Sequence, residues 1–168
     1  MTSSPPSPPP ADLLDRHALR ERVEIELAAF LDRKLTDLAA IDPDLMAVGE
    51  AICDLVLAGG KRLRPAFAYW GWRGALDAVS YAGSAGPVAD ADRDDDTVLR
   101  AAASLELVQA GALIHDDVMD RASTRRGQPA MHVRFADLHA YHGWAGSAAG
   151  FGQGAAIIAG DIALTWAQ

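Results

Sequence analysis

Apolar residues that recur every three or four positions limit most strongly what this 168-residue chain can fold into. The clearest run lies between residue 12 and about residue 39, where charged residues separate Leu19, Val23, Leu27, Phe30, Leu31, Leu35 and Leu38. This spacing places the apolar side chains on one face of an α-helix. No stretch of any length alternates apolar and polar residues as a half-buried β-strand does. The sequence therefore predicts an all-α fold.

Start and stop signals divide the rest of the chain into further helices. Asp42-Pro43 supplies an N-cap and a proline at the first helical position, so a second helix is predicted from there to Gly59-Gly60. A third is predicted to start at Arg64-Pro65, before a loop at about 77–96. A long helix then leads to residues 116–120, followed by a polar loop at 121–129. A short helix at about 131–138, a glycine-rich connection and a final helix at 155–166 complete the prediction.

Composition and charge exclude several classes of protein. The formal net charge of −8 gives no electrostatic support for nucleic-acid binding. Gln153 and Asp161 interrupt the most apolar tract, so no membrane span is predicted. Residues 1–11 are rich in Pro and Ser and are predicted to form a disordered tail, which leaves residues 12–168 as the folded domain. Cys53 is the single cysteine, which excludes an intrachain disulfide and predicts a reducing, cytoplasmic location.

Three carboxylates lie close together at the end of the predicted long helix: Asp116, Asp117 and Asp120. The first and last are four residues apart and therefore share a helix face. Negative charges at a helix C-terminus oppose the helix dipole and repel one another, so the cluster favours bound cations. Ligation by oxygen alone is what Mg²⁺ prefers. The sequence predicts a magnesium site here, with a solvated acidic helix end as the structural alternative.

Two basic segments accompany the acidic one. Arg125 and Arg126 follow it directly, and Lys61, Arg62 and Arg64 come after two glycines and before a predicted helix start. A guanidinium binds phosphate oxygens through two parallel hydrogen bonds, and a helix N-terminus also favours phosphate. Together with the metal site, the two segments predict binding of diphosphate groups. The alternative for the second segment is a helix C-cap followed by solvated basic residues.

The helix face below Asp116 is small and apolar. Ala112, Gln109 and Val108 precede Asp116 by four, seven and eight residues, and Gly111 adjoins Ala112. Spacings of this kind put residues on roughly one face, which predicts a narrow wall for an apolar substrate. The Gln109 amide either binds an anion there or satisfies a buried backbone group. His115 is expected to make a structural hydrogen bond rather than to bind the metal, because Mg²⁺ prefers oxygen.

With these residues assembled, the chain resembles the trans-isoprenyl diphosphate synthases of the polyprenyl synthetase family, from about residue 16 to the C-terminus. The matching signatures are Gly59-Gly60-Lys61-Arg62-Leu63-Arg64-Pro65, Leu113-Ile114-His115-Asp116-Asp117-Val118-Met119-Asp120, Arg125-Arg126-Gly127 and, more weakly, Ala159-Gly160-Asp161. Their order and spacing make the resemblance specific. It implies an isoprenoid synthase-type helical bundle around a central cavity, usually homodimeric, with residues 12–168 as the N-terminal part of that domain.

The resemblance also implies an activity, a prenyl transfer in isoprenoid biosynthesis that depends on Mg²⁺. Isopentenyl diphosphate would condense head to tail (1′-4) with an allylic prenyl diphosphate. Asp116 and Asp120 would ligate Mg²⁺, with Asp117 in support, and Arg125 would hold the allylic diphosphate. The residues implied to bind isopentenyl diphosphate are Lys61, Arg62, Arg64, Gln109 and Arg126.

Product length follows from the wall residues in similar enzymes. Bulky side chains at the positions of Gly111 and Ala112 end chain growth there, with Val108 one turn further down. Both positions are small here, which implies a product longer than farnesyl diphosphate, with geranylgeranyl diphosphate as the first expectation. Substitution of Gly111 by Phe is then expected to shorten the product.

The resemblance covers only the N-terminal half of such an enzyme. A second Asp-rich motif of the family does not occur in these 168 residues, so the chain is expected to be inactive by itself. Two alternatives stay open. One is a non-catalytic truncated subunit that modulates an active synthase. The other is a class I terpene cyclase, although such an enzyme needs no site for isopentenyl diphosphate and hence no second basic segment.

Overall fold

Six α-helices make up most of what the computed structural model describes, which is residues 18–82 and 95–168. The predicted tail at 1–11 and most of the predicted loop lie outside these described residues. A 3₁₀ turn (Pro43–Leu45) precedes the second helix, and a hairpin of two short strands, β1 (Thr124–Arg125) and β2 (Gln128–Pro129), follows the fourth. The helices are α1 (Leu19–Ile41), α2 (Met46–Leu57), α3 (Leu63–Ala82), α4 (Asp95–Met119), α5 (Met131–His142) and α6 (Ala148–Trp166).

The prediction of an all-α fold is confirmed, with small differences at the ends of helices. Asp42 is an N-cap as the sequence predicts, since its side chain accepts a hydrogen bond of 2.8 Å from the Asp44 N–H, but it caps the 3₁₀ turn that leads into α2. The final helix begins earlier than predicted because the Ser147 side chain caps it, accepting from the Gly150 N–H at 3.1 Å. The third helix continues to Ala82, into the stretch predicted as a loop. The predicted polar loop at 121–129 contains the β1–β2 hairpin.

The core lies where α4 meets the helices around it. The apolar stripe of α1 is buried as its spacing predicts, with Leu19, Val23, Leu27 and Leu31 each no more than 2% exposed. From α4 the buried side chains include Leu107 and Ile114. α6 contributes only small ones, Ala156, Ala159 and Ala163. Because small residues let backbones approach closely, α6 packs tightly on both α4 and α5.

Two of the helices, α4 and α6, are long and apolar enough to cross a membrane when only length and composition are counted. Both take part in the helical packing described above, and core helices of soluble proteins pass the same test. The absence of a membrane span therefore stays a prediction.

Candidate functional site

The acidic residues lie on the last turn of α4 and just beyond it. The Asp120 N–H donates to the Asp116 carbonyl at 2.8 Å, so the helical register continues from one residue to the other. Their carboxylates therefore stand one turn apart on the same side of the helix. Half of the Asp116 side chain is exposed and Asp120 is exposed as well, whereas Asp117 is buried at 3%. Two of the three carboxylates thus face solvent and the third faces inward.

A C-terminal cap reverses the chain directly after Asp120. The Ala122 N–H donates to the Asp117 carbonyl at 3.0 Å and the Arg121 N–H to the Val118 carbonyl at 3.4 Å. This pair of bonds is a Schellman motif, which usually places glycine where Arg121 stands with φ 54°. The reversal carries the following hairpin back toward the acidic helix end.

Arg125 on strand β1 binds the buried carboxylate. Its Nε lies 3.0 and 3.1 Å from the two oxygens of Asp117, and its Nη2 also donates to Asp117. Nη2 further donates to Asp116 Oδ2 at 3.3 Å. The hydrogen bonds to Asp117 raise the pKa of the Arg125 guanidinium, which stays charged throughout. Arg125 therefore occupies both oxygens of Asp117, whereas Asp116 shares only one oxygen with it and stays half exposed. Asp116 and the exposed Asp120 are called the open carboxylates below.

The hairpin turn aims Arg126 in another direction. Arg125 pairs with Gln128, and the two residues between them have positive φ, 52° at Arg126 and 78° at Gly127. Positive φ at both central positions is the pattern of a type I′ turn. The Arg126 Nη1 donates to the carbonyl of Gly59 at 3.0 Å. This bond joins the arginine pair to the other basic segment, 67 residues earlier in the chain.

Residues 59–64, here named the basic loop, comprise most of the connection between α2 and α3 together with the first two residues of α3. Gly59 and Gly60 have φ of 81° and 149°, conformations that favour glycine. Lys61 and Arg64 are exposed, and among the described residues neither has an ion-pair partner. Arg62 differs from the sequence interpretation, because its side chain turns inward and is 3% exposed. Its guanidinium hydrogen-bonds protein groups and presents no face to a substrate.

The wall residues of α4 point in two directions. Val108 is 42% exposed and Ala112 is exposed, on the side of the helix that carries Asp116, and Gln109 is half-buried. Gly111 instead faces α6. A Cβ atom there would lie 2.7 Å from Leu164 Cγ and 2.9 Å from the Gly160 carbonyl oxygen. Gly111 therefore belongs to a helix contact and is no part of an open wall, unlike what the sequence suggested.

His115 makes the structural contact expected of it. Its Nε2 lies 3.1 Å from the Ile157 carbonyl oxygen of α6. The imidazole ring packs on Gly160, where a Cβ atom would come within 2.3 Å of Nε2. Gly160, in the Gly160-Asp161 signature, thus leaves the space that the His115 ring occupies between α4 and α6.

A cavity of about 720 Å³ opens behind the acidic helix end, between α2, the hairpin and α5. Asp117, Arg125 and Arg126 line one side of it. On the other side Arg134 donates to Asp54 at 2.6 Å, an ion pair that sequence reasoning missed because neither residue belongs to a recognisable motif. The open carboxylates and the wall residue Ala112 do not line this cavity but stand on the outer side of α4.

The donor set fits Mg²⁺ on chemical grounds. Within residues 18–82 and 95–168, no group of three metal-ligating side chains surrounds a common point. Mg²⁺ does not require one, since it is usually bound through one or two carboxylates together with water and substrate phosphate. Asp116 and Asp120 supply two accessible carboxylates of this kind, whereas Asp117 is already neutralised by Arg125.

Helices alone form the core, and an acidic helix end meets two basic segments; the fold and site together define a protein of the all-α isoprenoid synthase class. The family model for polyprenyl synthetase matches residues 46–168. The chain belongs to the polyprenyl synthetase family.

Characterised relatives of this chain are prenyl diphosphate synthases. The geranylgeranyl diphosphate synthase of Methanosarcina mazei is 39% identical over 107 residues, which are 64% of this chain and 23% of that protein. The short chain isoprenyl diphosphate synthase of Methanocaldococcus jannaschii is 31% identical over 151 residues, 89% of this chain and 32% of that protein.

A solved structure supports the same likeness. The geranylgeranyl pyrophosphate synthase of Corynebacterium glutamicum, crystallised with isoprenyl diphosphate and magnesium, is 36% identical and superposes with a TM-score of 0.76. The match covers 94% of this chain and 40% of that one. The chain thus spans well under half the length of these three proteins.

Proposed function

We propose that this chain carries the first half of the active site of a trans-prenyltransferase, which condenses isopentenyl diphosphate with an allylic prenyl diphosphate. The observation that carries the proposal is the hydrogen bond from Arg126 to Gly59. It brings the two basic segments together directly beside the acidic helix end, to which Arg125 is bound. A site for two diphosphates needs positive charge in two places around one metal-binding group, and this arrangement provides it.

Asp116 and Asp120 hold Mg²⁺ in the proposed enzyme. When bound, Mg²⁺ supplies the positive charge that stabilises a departing diphosphate. Asp117 contributes indirectly, because its bond to Arg125 fixes that guanidinium beside Asp116. The Nη1 group of Arg125 has no hydrogen bond to the described residues and is available to the allylic diphosphate.

The basic loop and the second arginine bind the other substrate. Lys61 and Arg64 are exposed cations, and Arg126 is held near them by Gly59. Together with Gln109 they hold the diphosphate of isopentenyl diphosphate. In the reaction the allylic C–O bond breaks and diphosphate leaves with the electron pair. The alkene of isopentenyl diphosphate then attacks the allylic carbon, and loss of a proton gives the longer product.

The product of this reaction is proposed to be geranylgeranyl diphosphate or a longer chain. Ala112 and Val108 lie on the outer side of α4 together with Asp116, and neither is bulky. A growing prenyl chain that starts at the carboxylates therefore passes small side chains on its way down the helix. The names of relatives that make geranylgeranyl and geranylfarnesyl diphosphate agree with this length.

Catalysis is proposed to need further residues in addition to these 168. The active protein is proposed to be a homodimer located in the cytoplasm. An exposed aromatic surface supports the partner contact: Tyr141 is 85% and Trp144 47% exposed, and the Trp144 and Phe151 rings lie 5.3 Å apart. Exposed apolar surfaces of this kind mark protein–protein contacts. Because this chain matches only 23–40% of the length of these relatives, the 168 residues alone are expected to be inactive.

The experiment that tests the proposal is an incubation with labelled isopentenyl diphosphate, farnesyl diphosphate and Mg²⁺. It compares the 168-residue chain with a version extended through any coding sequence that follows Gln168. Labelled prenyl diphosphate from the extended version alone supports the proposal, and Asp116→Asn is expected to abolish it. No product from either version would favour a non-catalytic subunit that modulates another synthase.

A further inference from the structure

The guanidinium of Arg62 is buried at a point where three helices meet beneath the basic loop. Its Nη1 donates to Glu106 Oε2 of α4 at 2.7 Å and its Nη2 to the Val56 carbonyl of α2 at 3.0 Å. Glu24 Oε1 of α1 lies 3.7 Å from its Nε. A buried cation is stable only when it is paired and hydrogen-bonded. Here α4 and α2 provide hydrogen bonds to the two Nη groups, whereas Nε, which faces Glu24 of α1, has no hydrogen-bond partner among the described residues.

The backbone of Arg62 is strained in order to reach this position. Its φ is 49°, in the left-handed region that side-chain-bearing residues seldom adopt. Its carbonyl accepts from the Ala66 N–H at 3.1 Å and so starts α3. Strained conformations persist where surrounding contacts hold them and concentrate at functional sites. The contacts that hold this one are those of the buried guanidinium.

The same side chain links the basic loop to both neighbouring parts of the site. Val56 lies in the last turn of α2, where the unpaired carbonyls at the helix end favour a cation such as the Arg62 guanidinium. The basic loop follows this helix. Glu106 lies on α4, one turn before Gln109. Lys61 and Arg64, on either side of Arg62, remain exposed. A rotation of the Arg62 side chain out of its position would therefore release the loop that carries both exposed cations.

We propose that Arg62 is a positioning residue, which fixes the basic loop so that Lys61 and Arg64 act on one diphosphate together. It touches no substrate itself. The inference rests on the proposed function, since it assumes that the loop binds a diphosphate. It also replaces the role in direct binding that the sequence suggests for Arg62.

The decisive variant is Arg62→Met combined with Glu106→Gln, which removes the ion pair without leaving a buried carboxylate unpaired. Two measurements are made on the 168-residue chain. Calorimetry with EDTA present gives the affinity for inorganic diphosphate without a contribution from the Mg²⁺-dependent site at Asp116 and Asp120. Hydrogen exchange with mass spectrometry gives the protection of backbone amides in residues 59–64. We expect affinity to fall on the order of tenfold and exchange in the loop to accelerate, with exchange in α1 and α4 unchanged.

Three further variants separate positioning from other effects. Arg62→Lys restores part of the affinity, because an ammonium keeps the charge but lacks the planar fork. Lys34→Gln with Asp37→Asn removes an exposed ion pair of α1 and changes neither measurement. Lys61→Gln with Arg64→Gln abolishes diphosphate binding while loop exchange stays as in the unaltered chain.

The outcomes distinguish this inference from the proposed function. Unchanged affinity and unchanged loop exchange in the Arg62→Met, Glu106→Gln variant would overturn the positioning role, even with diphosphate bound normally. If the unaltered chain binds no diphosphate, or binds it equally well without Lys61 and Arg64, the proposed function of the loop fails. Loop exchange then still decides whether Arg62 holds the loop, because that measurement needs no ligand.

Discussion

Among the described residues, three of the four non-glycine positions with left-handed backbone are arginines around the site: Arg62, Arg121 and Arg126. Each stands where glycine or asparagine is usual, in a loop before a helix, in a helix C-cap and in a hairpin turn. At Arg62 and Arg126 the side chain hydrogen-bonds protein groups, whereas the Arg121 side chain has no such bond to the residues that the structure describes. The strain therefore has a compensating contact at two of the three positions.

Substitution of Arg121 by Gly is expected to stabilise the protein. Glycine adopts the left-handed conformation without steric cost, which removes about 1 kcal/mol of strain and raises the Tm by roughly 2–4 °C. Thermal unfolding followed by circular dichroism measures the change. Arg121→Ala is the control, since it removes the charge but keeps the strain. An equal rise in Tm for both variants would assign the effect to the charge of Arg121 and contradict the argument from its backbone.

Cys53 is predicted to be an unreactive thiol in the folded protein. Its burial raises the pKa of the thiol from 9.0 to about 11, and the nearby Asp54, Glu50 and Asp32 add to the shift. Because only the thiolate reacts, alkylation by iodoacetamide at pH 8 is expected to be about 100-fold slower in the native protein than in urea. The rate of labelling measured by mass spectrometry checks this, and Cys53 is the single cysteine. Equal rates would contradict the buried position.

The same shift gives a pH dependence with a definite sign. A pKa that is higher in the folded state means that folding favours the protonated thiol. The resulting stabilisation is present below pH 9, where both states are protonated, and is lost as the pH rises from about 9 toward 11. Urea unfolding of the native chain and of Cys53→Ala across this range isolates the contribution.

At the level of helices, the contact between α4 and α6 depends on Gly111. Ala is the better helix former by about 1 kcal/mol, yet its Cβ atom would press on Leu164 and on the Gly160 carbonyl oxygen. We expect Gly111→Ala to destabilise the protein by about 1–3 kcal/mol, because a backbone oxygen cannot move aside. Urea unfolding measures the change in the free energy of unfolding.

Gly74 in α3 provides the matched control for this substitution. A Cβ atom there would meet no atom within 4 Å, so Gly74→Ala is expected to stabilise the protein by up to about 1 kcal/mol. The two substitutions are chemically identical and are expected to have opposite signs. Stabilisation by both would mean that α4 and α6 are packed less closely than the structure indicates.

The sequence could predict those features of the helices that depend on residues close together in the chain. The stripe of α1 and the cap at Asp42 depend on neighbouring residues alone, and both were predicted correctly. Gly111 and Ala112 are adjacent, but about 100° of helix rotation separates them, and the packing of α6 decides which one is enclosed. The hairpin turn escaped prediction because Arg126 stands where asparagine is usual.

The site was predictable in composition but not in its connections. Spacing alone gave Asp116, Asp120 and the arginine pair as candidates, since each motif lies within a few residues. The inward direction of Arg62 depends on Glu106, 44 residues away, and the contact of Arg126 with Gly59 spans 67 residues. No local sequence pattern contains such pairs. A prediction from charge alone therefore assigns diphosphate binding to Lys61, Arg62 and Arg64 alike.

At the scale of the whole molecule, the proposed function assigns the length of the product to the outer side of α4. Ala112 lies one turn before Asp116 on that side and is exposed, whereas the neighbouring Gly111 is enclosed by α6. Phe at position 112 has room to extend along the path of a growing prenyl chain. Phe at position 111 would instead push α4 and α6 apart. A shorter product from that variant would therefore not show that the prenyl chain grows along α4.

Ala112→Phe, introduced into the extended version that is proposed to be active, is therefore expected to shift the product toward shorter prenyl diphosphates. The bulky ring blocks the chain after a few added carbons, while condensation itself proceeds, since the carboxylates and arginines are unaltered. Reversed-phase chromatography of the dephosphorylated products gives the chain length. Ala39→Phe, the same change on an exposed position of α1, is the control and is expected to leave the product unchanged. An unchanged product from Ala112→Phe would place the growing chain elsewhere, with the cavity between α2 and α5 as the next candidate path.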